Sequence, residues 1–262
     1  MNMRPLFTAV LWLAAAAAHA QVPLGTAQAY GVLAASSVTN TGPTVITGSV
    51  GVSPGNSITG FPPGLASAPM HAADAAALQA QADTTLAYNF LAGQPCGTTL
   101  TGDLGGRTLV PGVYCYAAGA QLTGTVTLDG LGNPASLFIF QVGSALTTAS
   151  GSRVALINGT QACNVWWQMG SSATLGTTTA FAGTLVAQAS NTLTTAATLV
   201  GRALARTGAV TLDTNTITIP SCASSGGGGG ASGIPTLGEW GVLILASLMA
   251  LTALAFMRRR PR

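Results

Sequence analysis

Side chains that could carry acid–base chemistry are scarce in this sequence. Charged residues make up 6% of 262 positions and lysine is absent, whereas ordinary globular proteins have about 25% charged residues. From Gln21 to Gly233 there are five aspartates, no glutamate and four arginines. A carbohydrate-active β-helix enzyme needs clustered carboxylates or a nearby base, and Asp213 with Arg202 or Arg206 is the one grouping that fits. An ion pair explains that grouping more simply, so we expect no enzyme.

Metal and nucleic-acid sites are also poorly supported. His71 and Asp74 could form a catalytic or metal pair, but a surface pair at a helix start is the simpler interpretation. The four cysteines lack CxxC spacing and only one histidine follows position 20, which disfavours zinc. A net charge of −1 between Gln21 and Gly233 leaves no basic patch for nucleic acid. We therefore expect no metal, no cofactor and no nucleic-acid partner.

Threonines alternate with apolar residues from about Gln121 to Ile219. In the first run, Leu122, Gly124, Val126 and Leu128 share one parity and threonines take most of the other. Alternate residues of a strand face opposite sides, so the run predicts one buried row and one exposed row of hydroxyls. Similar leucines are 18, 18 and 19 positions apart in the pairs Leu128–Leu146, Leu175–Leu193 and Leu193–Leu212. This step is typical of stacked coils in a β-solenoid.

The segment before the threonine-rich region predicts further coils and one helix. Short strands broken by Gly and Pro run from Gln21 to a stop at Pro62-Pro63-Gly64. Positions 69–91 are alanine-rich and predict one long helix, with Pro69 in its first turn and Gly93 just past its end. We expect its apolar stripe to pack along a side of the solenoid. That stripe is Ala75, Leu78, Ala82, Leu86 and Phe90.

The most apolar segments are Leu137–Phe140 and Asn164–Trp167, which fit strands covered on both faces. Trp166 and Trp167 would point to opposite faces, so one of them could be exposed. The even number of cysteines in an exported chain predicts two disulfides. Of three pairings we favour Cys96–Cys115, which closes a local loop, with Cys163–Cys222, which ties down the last strand.

Both ends of the chain read as targeting signals. Positions 1–20 form a secretory signal peptide, with Arg4, an apolar run and a small-x-small cleavage site at Ala18-His19-Ala20. Positions 223–233 form a Gly/Ser linker. An uncharged stretch then predicts a transmembrane helix at about 241–257, followed by a basic tail on the cytoplasmic side.

Positions 234–262 resemble the IPTL-type C-terminal sorting signal of Gram-negative bacteria. The residues that carry the resemblance are Ile234, Pro235, Thr236, Leu237, Gly238, Glu239 and Trp240. The resemblance implies transient anchoring in the inner membrane and processing by an exosortase-like enzyme, after which the protein is placed at the cell surface or released. A plain tail anchor is the alternative.

Positions 25–220 resemble the bacterial and fungal ice-binding β-solenoids. The shared sequence segments include Pro111-Gly-Val-Tyr-Cys115, Cys163-Asn-Val-Trp-Trp167 and Gly201-Arg-Ala-Leu-Ala205. The resemblance implies a mostly β fold, namely a discontinuous right-handed β-helix of triangular section with one long helix alongside. It also implies a flat ice-binding face carrying a Thr-Ala/Gly-x-Thr/Asn motif, which occurs here at Thr195–Thr198 and at Thr41–Thr44.

Two functions remain open for positions 21–222. The first is an exported protein that adsorbs to ice through a flat threonine face. The second is a structural or adhesive matrix protein that uses the same solenoid without ice activity. Strand spacing and alternation would place threonines on a regular grid, although threonine also fills exposed strand positions without any role. The predicted ligand residues are Thr41, Thr44, Thr174, Thr177, Thr192, Thr194, Thr195, Thr198, Thr211 and Asn215.

Overall fold

A computed structural model describes residues 22–222, which form three parallel sheets and one α-helix. The helix is α1 (Ala75–Ala92), and 3₁₀ turns cover Gly25–Ala29 and Ala162–Asn164. The strands before α1 are β1 (Tyr30–Ala34), β2 (Ser37–Thr41), β3 (Val45–Ile46), β4 (Ser49–Val52), β5 (Ser57–Thr59), β6 (Leu65–Ala66) and β7 (Met70–Ala72). The strands after it are β8 (Thr98–Thr99), β9 (Thr108–Leu109), β10 (Gly112–Tyr116), β11 (Ala120–Leu122), β12 (Thr125–Asp129), β13 (Phe138–Val142), β14 (Leu146–Thr148), β15 (Arg153–Ile157), β16 (Val165–Met169), β17 (Ala173–Leu175), β18 (Ala180–Ala182), β19 (Thr184–Ala187), β20 (Asn191–Leu193), β21 (Thr198–Val200), β22 (Ala203–Ala205), β23 (Val210–Asp213) and β24 (Thr216–Thr218).

Apart from β7 and β8, which α1 separates, consecutive strands belong to different sheets, so the chain winds around a common interior. Sheet A has the order β7-β4-β1-β22-β19-β16-β13-β10-β8, sheet B the order β11-β14-β17-β20-β23-β2-β5, and sheet C the order β6-β3-β24-β21-β18-β15-β12-β9. One turn of the chain therefore contributes one strand to each sheet, as in a β-solenoid of triangular section. The predicted solenoid is confirmed.

The solenoid is discontinuous because its first coil lies beside its last. Strands β1, β2 and β3 pair with β22, β23 and β24, with Val32 opposite Ala203 and Val38 opposite Val210. From β7 the chain passes through α1 to β8 at the opposite end of sheet A. Residues far apart in sequence are thereby aligned on neighbouring strands.

Two apolar clusters hold the coils and the helix together. The interior of the solenoid is filled from all three sheets and includes the fully buried Phe140, Trp167 and Leu193. The second cluster lies between sheet A and α1, where Trp166 and Ile139 pack near Leu91. Sheet A is therefore covered on both faces, which explains why β13 and β16 are almost entirely apolar.

The helix begins later than the sequence predicts. Residues Met70–Ala72 form an edge strand that pairs with β4, so Pro69 is not in a helical turn. Asp74 is the N-cap, and its carboxylate accepts the backbone N–H of Ala77 at 2.8 Å. Gly93 ends the helix as expected. The His71 imidazole lies 2.7 Å from the Asp74 carboxylate, which confirms a surface pair at the helix start.

The predicted apolar stripe of the helix is wrong. Leu78 and Leu86 are 61% and 59% exposed, and Ala75 and Ala82 are exposed too. The face toward sheet A instead carries mostly small or polar side chains. These are Ala77, Ala80, Gln81, Asp83, Thr84, Ala87 and Leu91. Because the sheet supplies the bulky side chains here, small residues on α1 let the helix approach closely.

The leucine spacing is a true coil repeat only in part. Leu175, Leu193 and Leu212 are register partners, but Leu128 pairs with Leu156 rather than with Leu146. The run from Leu122 to Leu128 is also two strands, because Gly124 turns the corner between sheets B and C at φ 78°. Long connections after β12 and after β15 make two successive coils larger than those that follow: register partners Gly112–Phe138 and Phe138–Val165 are 26 and 27 positions apart, whereas Trp166–Thr184 are 18 apart.

Three smaller expectations can be compared with the structure. Both favoured disulfides are present, Cys96–Cys115 and Cys163–Cys222. The expected exposed tryptophan is wrong, since Trp166 is 5% exposed beneath the N-terminal segment and the helix. Pro62-Pro63-Gly64 does not stop the sheets, because β6 and β7 follow it.

The predicted signal peptide, linker, sorting motif and membrane helix lie outside the described residues. Among residues 22–222, no helix combines the length and the apolar character that a membrane span requires.

Asp83 joins the helix to the N-terminal segment. Its carboxylate accepts the backbone N–H and the hydroxyl of Thr26, both at 2.7 Å, and the amide of Gln79 at 3.0 Å. We expect Asp83→Ala to lower the free energy of unfolding by about 2 kcal/mol, because Thr26 and Gln79 then lose a charged acceptor that ties the helix to the N-terminal segment. Asp83→Asn keeps one acceptor and should lose less, as denaturant unfolding can measure. Equal stability of the alanine variant and the wild type would contradict this role.

The same carboxylate predicts a pH dependence. The Thr26 hydroxyl contributes most to holding the pKa of Asp83 below its usual value; burial opposes this, and the Thr26 N–H and Gln79 amide add to it. A folded-state pKa below the unfolded value of about 3.9 stabilises the protein at higher pH. The stability difference between wild type and Asp83→Asn should therefore shrink as the pH falls through the folded-state pKa.

Candidate ligand-binding face

The three outer surfaces of the solenoid differ in what they offer a ligand. Sheet A is covered by α1, which contacts β7, β4, β1, β19, β16 and β13. Sheet C is uncovered, but it exposes the large aliphatic side chains of Val45, Leu65 and Val200, together with the charged Arg153. Sheet B exposes mainly small hydroxyl-bearing side chains. It is therefore the candidate face.

One outward position of sheet B is threonine on six neighbouring strands. Register partners link Thr59 to Thr39, Thr39 to Thr211, and so on through the sheet. We call this the threonine row, which runs Thr59, Thr39, Thr211, Thr192, Thr174, Thr147 and ends at Gln121. Paired strands lie about 4.8 Å apart, so hydroxyl and methyl groups recur at that spacing. Branching at Cβ restricts χ1, which favours a uniform orientation along the row.

The position on one side of the threonine row carries only small side chains. Ser37 is opposite Ser57. On later coils the Ser190 hydroxyl accepts the backbone N–H of Ala209 at 3.1 Å, and the Ser172 hydroxyl accepts that of Ser190 at 3.2 Å. No long side chain therefore rises beside the row here, and the face stays flat.

The position on the other side of the row contains Thr41, Asp213 and Thr194. Thr41 is opposite Asp213, while the Thr194 hydroxyl donates to the carbonyl of Leu175 at 2.8 Å. The Asp213 carboxylate accepts the hydroxyl of Thr195 at 2.5 Å and that of Thr214 at 3.0 Å. Neighbouring hydroxyls thus donate hydrogen bonds to the Asp213 carboxylate, which is the charged group nearest the middle of the face.

The motif Thr195-Ala196-Ala197-Thr198 turns the corner between two sheets. Ala196 has φ 59°, so the backbone turns sharply here, and Ala197 is buried. Thr195 is exposed at the sheet B side, whereas Thr198 opens β21 in sheet C. Thr177 is exposed at the same corner of the preceding coil, 3.4 Å from the Thr194 hydroxyl. The predicted ligand set is therefore divided between two faces.

Thr44 and Asn215 are buried, so the prediction that they face a ligand is wrong. Thr44 is fully buried and Asn215 is 1% exposed. The Asn215 amide donates to the carbonyls of Thr194 and Ala197 at 2.9 and 3.0 Å, and the Thr44 hydroxyl accepts the Asn215 N–H at 3.0 Å. These side chains satisfy backbone groups that the corner leaves unpaired.

Four members of the threonine row were absent from the predicted set: Thr39, Thr59, Thr147 and Gln121. Thr147 lies in a threonine-rich run, but it is 26 positions from Gln121 and 27 from Thr174, so the step of 18 does not reach it. Thr39 follows Val38 as Thr211 follows Val210, and that shared pattern could have aligned them. Their alignment depends on the first coil pairing with the last.

The aspartate–arginine grouping considered for catalysis does not form. Arg202 is 8% exposed and donates twice to the carbonyl of Gln28. The Arg206 guanidinium lies 4.4 Å from the centre of the Tyr88 ring. In the described part of the chain, His71–Asp74 is the sole ion pair and no cluster of potential metal ligands occurs.

Comparison with known proteins agrees with this geometry. Residues 32–218 match the family model described as Ice-binding-like, and residues 233–260 match the IPTL-CTERM motif. An ice-binding protein of Nostoc sp. (strain HG1) is 56% identical over 196 residues, covering 74% of this chain and 72% of that protein. An ice-binding protein of Flavobacterium frigoris is 35% identical, covering 76% of each chain.

Solved structures show the same architecture. An ice-binding protein from an Antarctic biological consortium has a TM-score of 0.76 at 46% identity, covering 84% of this chain and 97% of that one. An ice-binding protein from the Antarctic ascomycete Antarctomyces psychrotrophicus has a TM-score of 0.75 at 42% identity, covering 77% and 100%. From these matches, this chain belongs to the ice-binding-like family.

Proposed function

We propose that the protein adsorbs to ice through the outer face of sheet B. The threonine row carries this proposal, because it repeats hydroxyl and methyl groups at one register position over six strands. The hydroxyl groups can form hydrogen bonds with a layer of water molecules, while the methyl groups restrict the positions that these molecules can take. The names of the relatives support ice as the ligand over a purely structural role.

Rigidity is the second element of the mechanism. The row stands on parallel strands whose inner side chains are almost all buried, so its geometry exists before any ice is met. Preorganisation lowers the entropy lost on binding. Many weak contacts made at once by a rigid array then hold the protein on a crystal surface without any turnover.

The proposal is tested on residues 21–225 with both disulfides formed. This piece contains all of residues 22–222, which the structure describes, and a solved relative consists almost entirely of the matching region. A single ice crystal grown in micromolar protein should develop facets and show a gap between melting and growth temperatures. Round, freely growing crystals in a folded sample would contradict the proposal and favour the matrix protein.

We further infer that the two ends direct export and sorting. The IPTL-CTERM match supports a sorting signal at 234–262, with helix 241–257 in the inner membrane until an exosortase-like enzyme acts. In a Gram-negative host with such an enzyme, the full chain should leave the membrane fraction. A chain with Ile234–Trp240 replaced by Gly and Ser should stay there. N-terminal sequencing should find Gln21 first. Equal release of both chains would contradict this route.

A further inference from the structure

The turn after β15 contains the one Asn-Gly pair of the sequence, Asn158-Gly159. Both residues are exposed, and both have positive φ values, 49° and 84°. The turn lies between sheet C and the 3₁₀ turn that leads into sheet A. It is therefore at a different corner from the one that borders sheet B and the proposed ice face.

An asparagine followed by glycine can react with its own backbone. The nitrogen of the following residue attacks the side-chain carbonyl carbon, and glycine has no Cβ to hinder that approach. Within residues 22–222 the N–H of Gly159 makes no hydrogen bond, so no backbone contact has to break to free the nucleophile. Other asparagines, such as Asn56 before Ser57, precede residues with side chains.

We propose that Asn158 is a site of spontaneous deamidation. The Gly159 nitrogen loses its proton and bonds to Cγ of Asn158, the bond from Cγ to the amide nitrogen breaks, and ammonia leaves with that proton. The resulting succinimide then takes up one water molecule. Water opens either carbonyl, giving aspartate or the β-linked isoaspartate at position 158.

Asp129 controls how easily this reaction begins. The Asn158 amide donates to the Asp129 carboxylate at 2.9 Å, and the same oxygen accepts the N–H of Leu131 at 2.9 Å. The backbone carbonyl of Asn158 accepts the N–H of Gly132 at 2.8 Å. The side chain must leave Asp129 before Cγ can meet the Gly159 nitrogen, so deamidation follows local opening of this turn.

Deamidation replaces the hydrogen bond between Asn158 and Asp129 with repulsion between two carboxylates. A carboxylate at position 158 has no donor for Asp129, and two neighbouring negative charges disfavour each other. An isoaspartyl link also lengthens the backbone where Thr160 holds the corner through its bond to the Leu128 carbonyl at 2.9 Å. We therefore expect deamidation to loosen this corner and lower the melting temperature while leaving the face of sheet B intact.

Peptide mapping by mass spectrometry tests the proposal. Residues 21–225 are incubated at mildly alkaline pH, where the backbone nitrogen loses its proton more readily, and acid formation is followed at Asn158 and at the internal control Asn56. We expect conversion at Asn158 first. Asp129→Ala should speed it about tenfold, because a hydrogen bond to a charged acceptor no longer opposes opening. Asp129→Ser serves as a second variant that removes the carboxylate without placing an asparagine before Gly130.

Two outcomes would overturn the proposal. One is conversion at Asn56 before Asn158, or no conversion at Asn158 while the protein stays folded. The other is an unchanged rate in both Asp129 variants, which would remove the role of the tether. Asn158→Asp should melt lower than wild type yet shape ice equally. The chemical test does not depend on ice as the ligand, so it can succeed even if ice adsorption fails.

Discussion

Thr192→Tyr should remove most of the gap between melting and growth temperatures. Thr192 is the central member of the threonine row, with Thr174 and Thr211 as its register partners. A tyrosine ring would rise from the middle of the flat face and keep the neighbouring threonines away from a crystal surface. Because all threonines of the row must touch the ice at the same time, their contacts with it are then lost together. The measurement is ice-crystal growth under controlled cooling, at equal protein concentration.

The matched control is Thr198→Tyr. Thr198 is an exposed threonine on the next strand of the chain, but it faces outward from sheet C. The same ring placed there should leave activity close to wild type. Thr192→Val, which keeps the shape and removes one hydroxyl, should cause a smaller loss. If Thr198→Tyr abolished activity while Thr192→Tyr retained it, the face would be assigned wrongly.

Trp167→Ala should lower the free energy of unfolding by about 3–5 kcal/mol, the usual range when a large buried aromatic side chain is truncated. Trp167 is fully buried. Its ring stacks on Phe140 at 3.8 Å and tilts against Phe181 at 5.0 Å, and its indole N–H donates to the Ala182 carbonyl at 3.0 Å. Truncation would leave a cavity and an unpaired carbonyl.

Denaturant unfolding measures this effect, and Trp167→Phe provides the comparison. Phenylalanine keeps the stacking and loses the hydrogen bond, so the loss should be smaller. An alanine variant within about 1 kcal/mol of wild type would show that the interior collapses around the missing ring. The aromatic stack would then contribute little to the free energy of unfolding.

The sequence predicted the solenoid because its period is visible wherever coils are regular. Leu175, Leu193 and Leu212 are true register partners, and the alternation around them gives the correct buried side. It failed at Leu128 because the coils here are longer, so a step of 18 positions reaches Leu146 in sheet B instead of the true partner Leu156 in sheet C. Periodicity identifies a repeat, but it does not tell which of three sheets a given strand joins.

The helix and the corner show a different limit. Hydrophobicity selected Leu78 and Leu86 as the packed side, whereas the real interface is set by close approach and by hydrogen bonds of Asp83 and Gln81. Thr44 and Asn215 look like exposed members of a motif, yet the left-handed corner turns them inward. Both errors arise because a side chain's direction depends on tertiary contacts that local patterns do not contain.

The central claim is that one continuous row joins both halves of the chain. Thr39 tests it most directly, because this residue reaches the row only through the pairing of the first coil with the last. Labelled wild-type protein, Thr39→Tyr and the sheet C control Val45→Tyr should be compared for adsorption to a single ice crystal. We expect strongly reduced adsorption of Thr39→Tyr and wild-type adsorption of Val45→Tyr. Full adsorption of a folded Thr39→Tyr variant, with loss in Val45→Tyr, would contradict the account.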